Sequence, residues 1–90
     1  MTHLQKAIVL SLLDGCNIAN SCRNGFRLRT PQSAVIAKFY SPTFDSLKPL
    51  LRKEKNGLYV LDKRHVRSLH GQAWVKKEYK KKLKSNQNNH

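Results

Sequence analysis

The chain has 90 residues, 18 of them Lys or Arg and 5 Asp or Glu, and so carries a formal net charge of +13. That length holds one small domain with a lean core, too little to build a deep, cofactor-filled catalytic cleft. A basic excess of this size points to a polyanionic partner, and no apolar run approaches the ~20 residues that a membrane span requires.

The charge is uneven. Residues 1–45 hold 5 basic and 2 acidic side chains, whereas residues 46–90 hold 13 and 3. The two cysteines, Cys16 and Cys22, are too few for a disulfide framework. The apolar run ending at Leu13 is followed by Asp14, a poor residue at an export cleavage site, so the expected location is the cytoplasm.

Thr2-His3-Leu4-Gln5 reads as a capping box, and Leu4, Ile8 and Leu12 then recur at helical spacing up to a stop at Gly15. Helix is therefore predicted over about residues 3–14. Its apolar girth marks it as the central core helix. Asn24-Gly25 is a pair suited to a tight hairpin turn with positive φ at both positions. On its far side Phe26-Arg27-Leu28-Arg29-Thr30 alternates apolar and basic, as a half-buried strand does. The incoming strand lies near residues 17–23, with Ile18 as its core residue. Residues 34–40 read as a third strand, with a short helix as the alternative.

Ser41-Pro42 signals a helix entry with Ser41 as cap, and Phe44, Leu47, Leu50 and Leu51 continue a helical stripe. Pro49 conflicts with a regular helix interior unless that helix starts later, capped by Asp45 or Ser46. A short or broken element is therefore expected across residues 42–53. Asn56-Gly57 supplies a second turn before the strand Leu58-Tyr59-Val60-Leu61. Asp62 then caps a helix interrupted at Gly71. A basic amphipathic helix starts at Ala73-Trp74-Val75 and ends near Leu83, leaving a polar tail, residues 85–90, with no apolar residue to order it. Trp74 is an anchor, either of the core or of a homodimer interface. The domain plan is 1–72 for the folded unit, 73–84 for the basic helix and 85–90 for the tail.

Helix, hairpin, third strand, capped short helix, turn, strand and helix is an order that resembles a winged-helix DNA-binding domain. The residues that carry the likeness are Ser41-Pro42-Thr43-Phe44-Asp45-Ser46-Leu47-Lys48-Pro49-Leu50-Leu51-Arg52-Lys53 and then Asn56-Gly57-Leu58-Tyr59-Val60-Leu61. Upstream, Gly15, Ile18 and Arg23-Asn24-Gly25-Phe26-Arg27-Leu28 are similar to small bacterial and phage proteins of this kind, among them winged-helix-like toxins that inhibit topoisomerase. The resemblance implies an α+β winged-helix-like fold with an N-terminal core helix, a three-stranded meander or hairpin, a short recognition-type helix, a wing strand and the basic C-terminal helix. It also implies a phage or bacterial regulator.

Candidate binding residues fall into three sets. Arg27 and Arg29 leave the same strand face, with Arg23 at the turn, and a guanidinium matches phosphate oxygens bidentately. There is no acidic residue between Asp14 and Asp45 to offset them. Thr43, Ser46, Lys48, Arg52 and Lys53 line the polar side of the short helix, with Lys55 at the wing tip; these would reach base edges and phosphates. Lys76, Lys77, Lys80 and Lys81 would add sequence-independent affinity by counterion release. No paired carboxylates, metal-ligand spacing or phosphate-cradling glycine loop is present, so no enzyme, cofactor or metal is expected. The expected partner is nucleic acid, duplex DNA ahead of RNA. The alternatives are an inhibitor or toxin docking on an acidic host enzyme, and RNA or ribosome binding.

Overall fold

The computed structural model describes residues 1–23 and 25–88, without side chains at Cys22 and residues 82–88. Its elements run α1 (His3–Leu13), β1 (Asn17–Cys22), β2 (Gly25–Arg29), β3 (Val35–Tyr40), α2 (Ser41–Leu47), a 3₁₀ turn (Lys48–Leu50), β4 (Leu51–Lys53), β5 (Tyr59–Leu61), α3 (Lys63–His70) and α4 (Ala73–Asn88). This is an α+β fold with four helices and one five-stranded antiparallel sheet, ordered β3-β2-β1-β5-β4. The first strand therefore lies at the centre of the sheet, between β2 and β5.

Local chemistry accounts for the helix ends. The Thr2 hydroxyl accepts the Gln5 backbone N–H at 3.1 Å, while the Gln5 side-chain carbonyl accepts the Thr2 N–H at 2.9 Å, satisfying two donors left free at the start of α1. Gly15, at φ 100°, turns the chain away from α1. At α3 the Asp62 carboxylate accepts the Arg64 backbone N–H at 3.0 Å, and Gly71 closes the helix.

Four features depart from the sequence-based expectations. First, α1 buries only the stripe Ile8, Val9 and Leu12; Leu4 and Ala7 remain exposed, so it serves the core on one side. Second, the hairpin turn is shifted by one residue. Gly25 pairs with Cys22 and Tyr40 inside the sheet, and it is Arg23 that takes the left-handed conformation, φ 45°. The register of β1 with β2 sets the turn there, with a bulge between Asn20 and Cys22 beside it, and Asn24 lies outside the described residues. Third, α2 begins at Ser41 itself, with Tyr40 as cap. It passes into the 3₁₀ turn at Lys48, so Pro49 falls in the first turn of that segment, where no N–H is required, and neither Asp45 nor Ser46 caps a later helix. Fourth, α4 runs on to Asn88, past the expected end at Leu83. Each residue added to an existing helix gains a hydrogen bond even without an apolar face. Residues 89 and 90 of the expected tail lie outside the described residues.

Packing is organised by aromatic rings. Phe26 stacks with Phe39, with centroids 5.8 Å apart, and with Phe44 at 4.0 Å; Tyr59 meets Phe44 edge-on at 4.9 Å. These four rings tie β3, β2, α2 and β5 into one core with Ile8, Val9, Leu12, Ile18, Leu28, Leu47, Leu61 and Leu69. Trp74 is half-buried and packs against that core. Its indole N–H donates to the Gln72 side-chain carbonyl at 2.6 Å, and Lys6 lies 5.6 Å from the ring centroid. Among the described residues no helix is long and apolar enough to cross a membrane.

Candidate functional site

Strand alternation sends Phe26, Leu28, Ala37 and Phe39 toward the helices and sends their neighbours to the opposite face. On that opposite face lie Asn17, Ala19, Arg27, Arg29, Lys38, Tyr40, Arg52 and Val60. Each is exposed or half-buried, and none of these eight is buried. The sheet thus has one face packed on helices and one open to solvent.

Register arranges the open face in rows. Ala19, Arg27 and Lys38 face one another across β1, β2 and β3; Asn17, Arg29 and Val35 form the next row, and Gly25 and Tyr40 the row on the other side. Neighbours across strands are about 4.8 Å apart and successive rows about 6.8 Å apart. Arg27 therefore stands directly opposite Lys38. Two like charges in such a pair repel, and among the described residues neither has an acidic partner within ion-pair distance.

Two depressions open on this cluster, with Arg27 common to both. One, of about 530 Å³, is lined by Ser21, Arg23, Gly25, Arg27, Lys38 and Tyr40, with Phe26 and Phe39 between them on β2 and β3. The other, of about 330 Å³, lies among Ala19, Arg27, Arg29, Ser33 and Val35. Beside it, the Arg29 Nε and the Asn17 side-chain carbonyl are buried without a hydrogen-bond partner. Tyr40 is 68% exposed, the most open large apolar side chain of the described residues.

The sequence-derived candidates divide accordingly. Arg23, Arg27 and Arg29 come together on the open face. Arg52 and Lys53 lie on β4 and not on the short helix, because the chain leaves the 3₁₀ turn to pair with β5. Arg52 shares the open face but sits three strands from Arg27, about 14 Å away, and is bonded to Glu54 at 3.3 Å. Lys53 points to the helical side, 5.9 Å above the Tyr59 ring. Ser46 accepts a 2.6 Å hydrogen bond from the Gln5 side chain and donates to the Thr43 carbonyl at 2.7 Å, so it ties α2 to α1; Thr43 is half-buried. Lys48 and Lys55 are exposed on the 3₁₀ turn and on the β4–β5 turn, where Gly57 (φ 85°) completes the bend. Lys76, Lys77, Lys80 and Lys81 form one exposed stripe of α4, whose other side carries buried Val75 and half-buried Tyr79. The Tyr79 hydroxyl, 3.5 Å from the Asp14 carboxylate, holds α4 against the end of α1, on the helical layer.

Lys38, Lys63 and Arg67 are among the cations that the sequence did not single out. Lys38 joins the open face through its pairing with Arg27, which depends on register. Lys63 and Arg67 are exposed on α3, where the helical spacing of basic residues after the Asp62 cap is the signal. Arg64 of that helix is engaged: its guanidinium donates to the Asp62 carboxylate at 2.8 and 3.2 Å. That side-chain contact, with the backbone N–H of Arg64, holds the Asp62 carboxyl down at about 2 and raises the Arg64 guanidinium.

Among the described residues no group of three His, Cys, Asp or Glu side chains is placed to hold a metal ion. The fold and this surface define a class: a small two-layer α+β protein with one open, cationic sheet face. No family model matches the chain, and no curated protein or solved structure matches it significantly.

Proposed function

We propose that the protein is a non-enzymatic nucleic-acid-binding protein that docks through the open face of its sheet. The observation that carries this reading is the Arg27–Lys38 cross-strand pair, flanked by Arg23 and Arg29, with no acidic partner among the described residues. Stacking like charges opposite one another costs stability. A polyanion occupying the face offsets that cost, and the sheet presents the cations as a rigid lattice on which successive phosphates can sit.

The winged-helix likeness read from the sequence points to the same class of partner. The geometry favours a different docking surface from the one that the likeness implies. With Thr43 half-buried and Ser46 bonded to Gln5, α2 has little polar side chain left with which to read a groove. The seven-residue length of α2 leads to the same preference for the sheet.

Fluorescence anisotropy of the full chain with labelled oligonucleotides and with heparin, at two salt concentrations, tests the proposal. Four phosphate contacts, from Arg23, Arg27, Arg29 and Lys38, give a log–log salt slope of about −3. Absence of binding to every polyanion at low salt overturns it.

A further inference from the structure

Within the proposed function, on which this step rests, the depression around Tyr40 narrows the ligand. We infer that the open face takes single-stranded nucleic acid, with an unpaired base stacked on the Tyr40 ring and the adjoining phosphates held by Arg23, Arg27 and Lys38.

Three observations meet here. Tyr40 is exposed, and among the described residues its ring has no aromatic partner, although Phe26, Phe39, Phe44 and Tyr59 all have one. Its cross-strand neighbour is Gly25, which has no side chain to cover the ring. The hollow beside it, about 530 Å³, has three cations on its walls. An aromatic face set among cations on an open sheet face suits a splayed-out base, because every base has a π-face and every linkage a phosphate. In a duplex the bases are already stacked on one another, so Tyr40 meets only their edges or the sugar–phosphate backbone. The exposed ring then adds nothing, and duplex keeps only the electrostatic part of the affinity. Charge alone would not require an aromatic ring at this position.

The test compares four labelled probes of equal length: oligothymidylate, oligouridylate, a duplex, and an abasic oligomer that keeps the phosphates but lacks bases. The single strands should bind about tenfold tighter than the duplex or the abasic oligomer. Replacing Tyr40 by Ala should abolish that preference, while Tyr40→Phe, which keeps the ring, should retain it. Circular dichroism of both variants should match the parent, since the side chain is at the surface. The thymidylate and uridylate arms distinguish DNA from RNA as the single strand. Duplex or abasic oligomer binding as tightly as the single strands, with Tyr40→Ala unchanged, would overturn the stacking inference and leave nucleic-acid binding standing. Failure of all four probes and of heparin would instead sink the proposed function itself.

Discussion

The open sheet face and the lysine stripe of α4 carry the same sign of charge in different geometries. On the sheet, Arg27, Arg29 and Lys38 occupy a two-dimensional lattice whose spacings come from hydrogen-bonded register. On α4, Lys76, Lys77, Lys80 and Lys81 form a single row along one helix, and Lys81 is already 3.6 Å from Glu78. A row can condense onto any polyanion. A lattice beside an exposed ring can orient one. Net charge therefore states how strongly a partner is attracted, while the element bearing the charge decides whether it is positioned.

The sharpest way to break the contrast is to remove the frame of the lattice. Phe26 is buried and stacks with two rings, Phe39 and Phe44, so Phe26→Ala should cost about 3–5 kcal/mol, read by denaturant unfolding. Affinity should then fall to what the α4 row supplies. A stable variant with full affinity would show that the sheet does not present the site.

Removing the lattice cations while keeping the frame is the next test. Arg27→Ala combined with Lys38→Ala should lower oligonucleotide affinity by about tenfold to a hundredfold and flatten the salt slope by about 1.5. Thermal stability should hold or rise slightly, because a repulsive pair is gone. Replacing Lys76, Lys77, Lys80 and Lys81 together by Gln should weaken binding only severalfold, with helix content equal or higher as like charges at i,i+4 are relieved. If anisotropy ranks these two multiple variants the other way round, α4 is the principal surface.

A smaller effect separates the two layers by pH. Asp62 belongs to the helical layer, and its folded pKa, about 2, lies below the ordinary 3.8. Its contribution to stability is therefore complete above the unfolded value and is lost as pH falls from about 3.8 through about 2. The Asp62→Asn variant, which can still cap α3, should show less acid sensitivity in that window by circular dichroism. An identical acid transition in both proteins would mean that the Asp62–Arg64 contact contributes nothing to folding.

Much of the local structure was legible because its causes are local. The Thr2–Gln5 capping box, the Asp62 cap and the alternation of residues 26–29 each follow from side chains within a few residues of one another. Pro49 correctly signalled a broken element, although the break came as a 3₁₀ turn after α2 rather than as a delayed helix. The hairpin was also expected, but its turn was assigned to Asn24-Gly25. The pairing of β1 with β2 places the turn one position earlier, and that register, with the bulge near Ser21, depends on contacts no nearby residue announces. Ser46 read as a free polar group because its partner, Gln5, lies 41 residues away.

The candidate site shows the same division. That Arg27 and Arg29 leave one face together is a property of the pleat, whose period of two is inherent in any strand. Lys38 was missed because nothing local distinguishes it from another solvated lysine. It becomes part of the site only when β3 pairs with β2 in the register that sets it opposite Arg27.

The sequence by itself determined the +13 charge, the caps at Thr2 and Asp62, the turns to within a residue and the in–out alternation of β2, because all of these depend on neighbours along the chain. The tertiary structure decided which strands adjoin and which sheet face the helices leave open. It also decided that Gly25 uncovers the Tyr40 ring. These depend on hydrogen bonds and apolar contacts between distant segments, where the burial of one face settles the register for every side chain on the other.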